Sequence, residues 1–328
     1  MKIAIDLNGG DKAPQAVIKG MLWALKRGYI KADQLCAIGD EQSLLAMHQE
    51  KSLRRIDFET ATEKVAMADK PREIIKKKDS AMARGLRGIK ENRFDAIVSA
   101  GNTAGMITLG INILSRLGRG IRPALAAPLP NLQGPCLLID AGANAHTNAL
   151  AEDLINFAKM GAIYAKNIWD LNEPKVALLN IGSEDAKGDD TLRLANQQLL
   201  DSGLNFIGNI EADKILTSEV NVVACSGIIG NNMLKFGEGV MGIFAKKLGW
   251  LWPVLKFWDS RHKDSDHEEV GGAILLGVNG IEIIAHGKAE APSIANALRA
   301  ARQEAEIKIN TIIATELKDD KDDAENDT

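Results

Sequence analysis

KIAIDLNGGDKAP, residues 2–14, decides the fold. A short β-branched apolar run meets an aspartate, then an Asn-Gly-Gly turn. Pro14 follows where a helix would open, and proline suits a first helical turn because the N–H there has no partner to lose. The stretch reads as strand, turn, helix. The same order returns in DAIVSAGNTAG (95–105), CLLIDAGANAHTN (136–148), KVALLNIGSEDAKGDD (175–190), VNVVACSGIIGNN (220–232) and IEIIAHGKAEAPS (281–293). AILLGVNG (273–280) precedes the last of these, and its Asn279-Gly280 pair is a hairpin signal. Between turns, Leu154, Ile155, Ala158, Gly161 and Ala162 recur at three-to-four spacing, the period of a helix face. Strands alternating with helices imply a mostly parallel sheet covered on both faces. The expectation is an α/β/α layered, Rossmann-like domain over residues 1–316. The acidic end, 317–328, is expected to be disordered because it lacks apolar residues to bury.

The chain has 328 residues, 45% of them hydrophobic, enough for one large core. A net charge of −4 gives no general attraction to nucleic acid. Met1 runs directly into the first strand with no secretory leader, and no apolar run reaches the length of a membrane span. Cys36, Cys136 and Cys225 are widely spaced within or beside strand-like runs, which suits buried core residues. A cytoplasmic location follows as the expectation.

In a parallel sheet, loops leaving the carboxyl ends of the strands gather at one crevice, where ligands bind. Here those loops are rich in Gly, Asn, Ser and Thr and poor in His and Cys. Glycine lets backbone approach a ligand, and helix N-termini offer free N–H groups to anions. An anion site built from backbone and amide donors is expected. There is no GxxxxGK[ST], no GxGxxG after the first strand, no HExxH, no paired CxxC and no GxSxG. No metal and no cofactor is expected.

As a set, GGDKAP (9–14), KKKDS (76–80), VSAGNT (98–103), RPALAAPLP (122–130), GAN (142–144), LLNIG with Lys187-Gly188, GNNMLKFGEG (230–239) and GGAILLGVNG with IIAHG (271–287) resemble the bacterial phosphate acyltransferase (PlsX) family over nearly the whole chain. The resemblance implies a fold like that of the isocitrate and isopropylmalate dehydrogenase-like superfamily. It also implies transfer of a fatty acyl group from an acyl carrier protein thioester to inorganic phosphate. The acyl phosphate formed would serve phospholipid synthesis, with a glycerol-3-phosphate acyltransferase as the downstream user. The chain departs from the family pattern at Asn8, Ala104-Gly105, Ser226, where an aspartate is usual, and Lys288-Ala289.

On that resemblance Lys187 would neutralise phosphate or the thioester oxyanion, and Asn231 would donate to the thioester oxygen. Asn102, Thr103, Gly142 and Asn144 would bind phosphate. Gly10, Asp11, Asp79 and Ser80 would shape the pocket, and His286 could protonate the leaving thiolate. Read from the residues alone, the asparagines serve equally as helix caps and His286 as a structural histidine. Two rivals stay open: acyl-coenzyme A as the donor, and a binding protein without catalysis. Nine basic residues between Lys70 and Arg93 would steer an acidic acyl carrier protein.

KKLGWLWPVLKFWDS (246–260) gathers three of the five tryptophans. Pro253 suggests the bend of a helical hairpin over about 238–268. Trp250, Leu251, Trp252, Val254, Phe257 and Trp258, flanked by lysines, fit an interfacial segment on anionic lipid. Core packing and a homodimer contact are the other readings. The resulting expectation is a cytoplasmic homodimer in peripheral contact with the membrane.

Overall fold

A computed structural model describes residues 1–144, 150–247 and 271–326. The first unit matches its sequence grammar: β1 (Ile3–Asp6) is wholly buried, and α1 (Gln15–Lys26) opens directly after Pro14. There follow β2 (Leu35–Gly39), α2 (Glu41–His48), β3 (Asp57–Thr60), α3 (Pro71–Ile74), α4 (Ala81–Lys90), β4 (Ala96–Ser99) and α5 (Thr103–Leu114). The chain then makes β5 (Ala124–Leu129), β6 (Cys136–Ile139), α6 (Ala151–Ile168), β7 (Val176–Leu179), α7 (Asp190–Leu200), β8 (Phe206–Ile210), β9 (Val222–Ala224) and α8 (Gly227–Lys247). It closes with β10 (Ala273–Leu276), β11 (Ile281–Ile284), α9 (Ala291–Ile307) and α10 (Ile309–Asn326).

The eleven strands of the described residues join one sheet in the order β3-β2-β1-β4-β11-β10-β5-β6-β9-β7-β8. Most pairings are parallel; β10 is antiparallel to β11 and β5, and β5 is antiparallel to β6. The hairpin that Asn279-Gly280 signals does form between β10 and β11, but its link is residues 277–280 and the positive φ (+86°) falls at Gly277, not at Asn279 or Gly280. One apolar layer holds Ile3, Ile5, Val98 and Ile283 with Met21, Phe157 and Leu298 from helices on one face. The other holds Ala4, Ile97 and Leu138 with Leu86 and Met106 on the opposite face. This is the α/β/α layering expected.

The antiparallel strands have a consequence that the turn grammar hides. Strands β3, β2, β1, β4, β11 and β5 run one way, and β10, β6, β9, β7 and β8 run the other. The carboxyl ends therefore do not gather at one crevice. Those of β1, β4 and β11 lie at one end of the sheet, and those of β6, β9 and β7 at the other.

The acidic tail also differs from expectation. Residues 317–326 are the last turns of α10 rather than a disordered end. Ile309, Ile313 and Leu317, four residues apart, are buried and nucleate the helix. Extending a nucleated helix costs far less than starting one. The tryptophan group, Trp250 to Trp258, lies outside the described residues.

Candidate functional site

At the carboxyl end of β6 the chain turns through Ala141-Gly142-Ala143-Asn144. The turn is built around Asp140, which is fully buried. Its Oδ1 accepts from the N–H groups of Leu125 (3.0 Å), Gly142 (2.9 Å) and Ala143 (2.7 Å). Its Oδ2 accepts from the N–H of Asn144 (2.9 Å) and from that residue's Nδ2 (2.7 Å). Gly142 has φ +124°, and a Cβ there would lie 3.1 Å from the Cβ of Asn231. Glycine is needed both for the backbone angle and for the approach of α8.

Helix α8 starts after the neighbouring strand β9, so its first turn meets the β6 turn. The first N–H groups of a helix have no intrahelical acceptor. No acidic residue occupies the first turn of α8. The amide of Asn231 is exposed and has no hydrogen-bond partner among the described residues. Asn144 differs, because its Nδ2 donates to the carbonyl of Pro123 (2.9 Å) as well as to Asp140. It is a fastener of the turn, not a free donor.

Lys187 lies in the loop after β7, the strand on the other side of β9. Its side chain is half-exposed, with Glu184 Oε1 3.9 Å from Nζ. Gly142, Asn231 and Lys187 thus come from three adjacent strands at one end of the sheet. Cys225, at the end of β9, cannot act as a nucleophile there. It is buried, its Sγ contacts the Asp140 carbonyl oxygen at 3.3 Å, and burial raises its pKa far above the ordinary thiol value.

The remaining predicted residues sit at the opposite end. Gly10 has φ +103°, and Asp11 N–H donates to the Gly287 carbonyl at 2.8 Å, joining the β1 and β11 turns. Asn102 caps α5 by accepting from Gly105 N–H (2.9 Å). Its Nδ2 faces the carbonyls of Met67 and Asp69, each at 3.0 Å, and of Ala66 at 3.3 Å. Both ends of this amide are engaged, so its side chain holds a loop rather than an anion. Thr103 is exposed at the first position of α5. Ser80 caps α4, accepting from Ala83 N–H and donating to the Lys77 carbonyl. Asp79 accepts from Thr62 and pairs with Arg84 at 2.6 Å; the Thr62 hydroxyl first, and Arg84 after it, lower its pKa.

His286 Nδ1 accepts from Lys288 N–H (3.1 Å), and Nε2 lies 3.4 Å from Glu238 Oε2. Glu238 is in the fourth turn of α8. That helix starts at the Asn231 end and reaches the His286 end, so it is the wall common to both groups.

Four site residues escape a reading by motif. Asp140 and Asp6 are strand-terminal aspartates whose only signal is a following glycine turn. Asp6 accepts from Ser99 Oγ (2.7 Å) and Asn8 N–H (2.9 Å), beside a small cavity also lined by Asn8, Glu63 and Ser80. Asn180 and Asn209 are buried amides that fasten the Lys187 loop. Among the described residues no cluster of His, Cys, Asp and Glu could hold a metal ion.

Residues 1–311 match the family model described as fatty acid synthesis protein. The phosphate acyltransferase of Heliobacterium modesticaldum is 38% identical, with 92% of this chain and 93% of that protein covered. The phosphate acyltransferase of Thermodesulfovibrio yellowstonii is 34% identical, with 99% and 97% covered. Among solved structures, a branched-chain phosphotransacylase from Enterococcus faecalis superposes with a TM-score of 0.60 at 12% identity, covering 93% of this chain and 99% of that one. A 4-hydroxythreonine-4-phosphate dehydrogenase from Klebsiella pneumoniae gives 0.55 at 13% identity, covering 93% and 98%. These two likenesses establish a fold shared with dehydrogenases. By the model match and the two sequence identities, the chain belongs to the phosphate acyltransferase family and is a transferase.

Proposed function

We propose that the chain moves a fatty acyl group from the thioester of acyl carrier protein to inorganic phosphate, at the end of the sheet where Gly142, Lys187 and Asn231 meet. The observation that carries this reading is the state of the amides. Asn102 and Asn144 are engaged internally, whereas Asn231 presents an unpartnered donor at the opening turn of α8, next to a lysine-bearing loop.

Phosphate is largely dianionic near neutral pH and needs no activating base. One phosphate oxygen attacks the thioester carbonyl carbon. The C–O bond forms, the C–S bond breaks, and the pantetheine sulfur leaves as thiolate and takes a proton from water. The protein's task is to hold two anions, the phosphate and the developing oxyanion, in line. Asn231 and the first N–H groups of α8 suit the oxyanion, and Lys187 suits the phosphate. The acyl phosphate would pass to a glycerol-3-phosphate acyltransferase in phospholipid synthesis.

The rest of the reading concerns partners. Lys77, Arg84 and Arg93 are already paired with Asp69, Asp79, Glu59 and Glu91. Lys70, Arg72, Lys76, Lys78, Arg87 and Lys90 have no carboxylate partner among the described residues, and they suit an acidic acyl carrier protein. Ile229, Phe236 and Ile243 are exposed seven residues apart along α8, the spacing by which a helix pairs with a second copy of itself. This favours a homodimer. The tryptophan stretch favours peripheral contact with anionic lipid from the cytoplasmic side.

The test is phosphate-dependent acyl phosphate formation from long-chain acyl-acyl carrier protein, trapped as the hydroxamate. Lys187→Ala and Asn231→Ala should each lower kcat about 100-fold, since one oxyanion donor contributes roughly 3 kcal/mol. Wild-type turnover in both variants would sink the assignment. Preference for acyl-coenzyme A when both donors are present would replace the donor and leave the site.

A further inference from the structure

The loop that carries Lys187 has no packing reason to be fixed. Residues 183–187 are exposed and polar or small. Yet two buried amides fasten its backbone. Asn180 Nδ2, at the end of β7, donates to the carbonyl of Lys187 itself at 3.0 Å. Asn209 Nδ2, near the end of the edge strand β8, donates to the carbonyl of Glu184 at 3.0 Å. Both asparagines are 8% exposed. Two glycines complete the fastening: a Cβ at Gly182 would lie 3.0 Å from Lys187 Cγ, and Gly188 has φ +86°.

Asn209 is costly where it stands. Its Oδ1 is buried without a hydrogen-bond partner among the described residues. A buried, half-satisfied amide destabilises a fold compared with an apolar residue of its shape. A brace of this kind is informative because its bond lies three residues from the lysine, and the lysine is the one cation of the loop. Fixing the Glu184 and Lys187 carbonyls fixes the Lys187 Cα and the direction in which its side chain leaves the turn. The preorganised charge then needs no ordering when an anion arrives.

We infer that Asn209, with Asn180, is a positioning residue: it holds the loop so that Lys187 meets the phosphate. This rests on the assignment of Lys187 made above. Asn205, an exposed asparagine, supplies a control at the same strand. It lies just before β8, at the other end of that strand, and its Nδ2 donates to the Glu173 carbonyl at 3.0 Å, far from the lysine loop in the fold.

The experiment is a double-mutant cycle on the full chain, read as kcat and as kcat/KM for phosphate, with thermal melting alongside. Asn209→Ala should lower kcat/KM about tenfold, the loss expected for one positioning hydrogen bond. Asn205→Ala should keep wild-type kinetics, and a folded Asn209→Ala, read from its melting curve, should show the kinetic loss. In a Lys187→Ala background, Asn209→Ala should add no further loss. Losses that multiply across the two sites, or wild-type kcat/KM in Asn209→Ala, overturn the inference. If Asn209→Ala fails to fold, Asn209→Ser and Asn209→Asp take its place in the same cycle. Wild-type turnover in Lys187→Ala alone would overturn the underlying assignment, and it shows before any pair is compared.

Discussion

Asp6 and Asp140 close equivalent turns at opposite ends of the sheet, and they are held differently. Each is buried, each ends a strand, and each accepts N–H groups from its own glycine turn. Asp140 receives five donors on two oxygens. Asp6 receives the Ser99 hydroxyl and the N–H groups of Asn8 and Gly9. Burial wins at Asp6, whose pKa rises from 3.8 to about 6 despite those three bonds. Two further buried carboxyls extend the series. Glu304 has one donor, the Tyr164 hydroxyl at 2.9 Å, and burial pushes it to about 8. Glu282 lies against Gly110 with both oxygens unpartnered among the described residues, and burial pushes it well above the usual carboxylate range. Across Asp6, Glu304 and Glu282, the fewer the donors, the further burial raises the carboxyl.

The largest test of the comparison is Asp140→Ala. It orphans four backbone N–H groups and takes one of two acceptors from the Asn144 amide, and should cost at least about 5 kcal/mol in urea unfolding. The turn that faces Asn231 should be lost with it. A cost below about 2 kcal/mol would mean that water or relaxation replaces the carboxylate, and the contrast with Asp6 would fail.

Next comes Glu304. Its pKa is raised in the folded state, so its contribution is fully present below about pH 4.5 and is lost as pH rises through about 8. By linkage the swing is on the order of 5 kcal/mol. Glu304→Gln should remove that swing and leave the variant more stable than the wild type at pH 9. Parallel stability–pH curves for the two proteins would contradict the one-donor reading.

The smallest effect belongs to Asp6. The sign is the same: stability is present below about pH 3.8 and lost through about 6, a swing of about 3 kcal/mol. Asp6→Asn should flatten the curve only in that window, sharpening the distinction from Glu304. If Asp6→Asn instead costs as much as Asp140→Ala at pH 7, the two turns are held alike and the series is wrong.

Local grammar made much of the fold legible. The strand–turn–helix run at residues 2–14, the Asn279-Gly280 hairpin and the three buried cysteines stand where the residues imply. Each depends on contacts close in sequence or on hydrophobicity alone. The site was legible only in part. Gly142 and Asn231 do meet, but Asn102 and Asn144 bond to carbonyls 21 to 36 residues away, which no spacing discloses. The brace on Lys187 is hidden for the same reason, since Asn209 lies 25 residues from Glu184.

The sequence by itself therefore determined the layers, the turn positions and the kind of donor at each turn, because side-chain period and glycine placement are local properties. Tertiary structure decided which turns share an end of the sheet. Pairing β10 antiparallel with β11 and β5, and β5 with β6, reverses the second half of the sheet against the first. Strand direction is fixed by long-range pairing and crossover, not by the pattern within a strand. That reversal separates His286 from Asn231 and leaves α8 as the element that touches both.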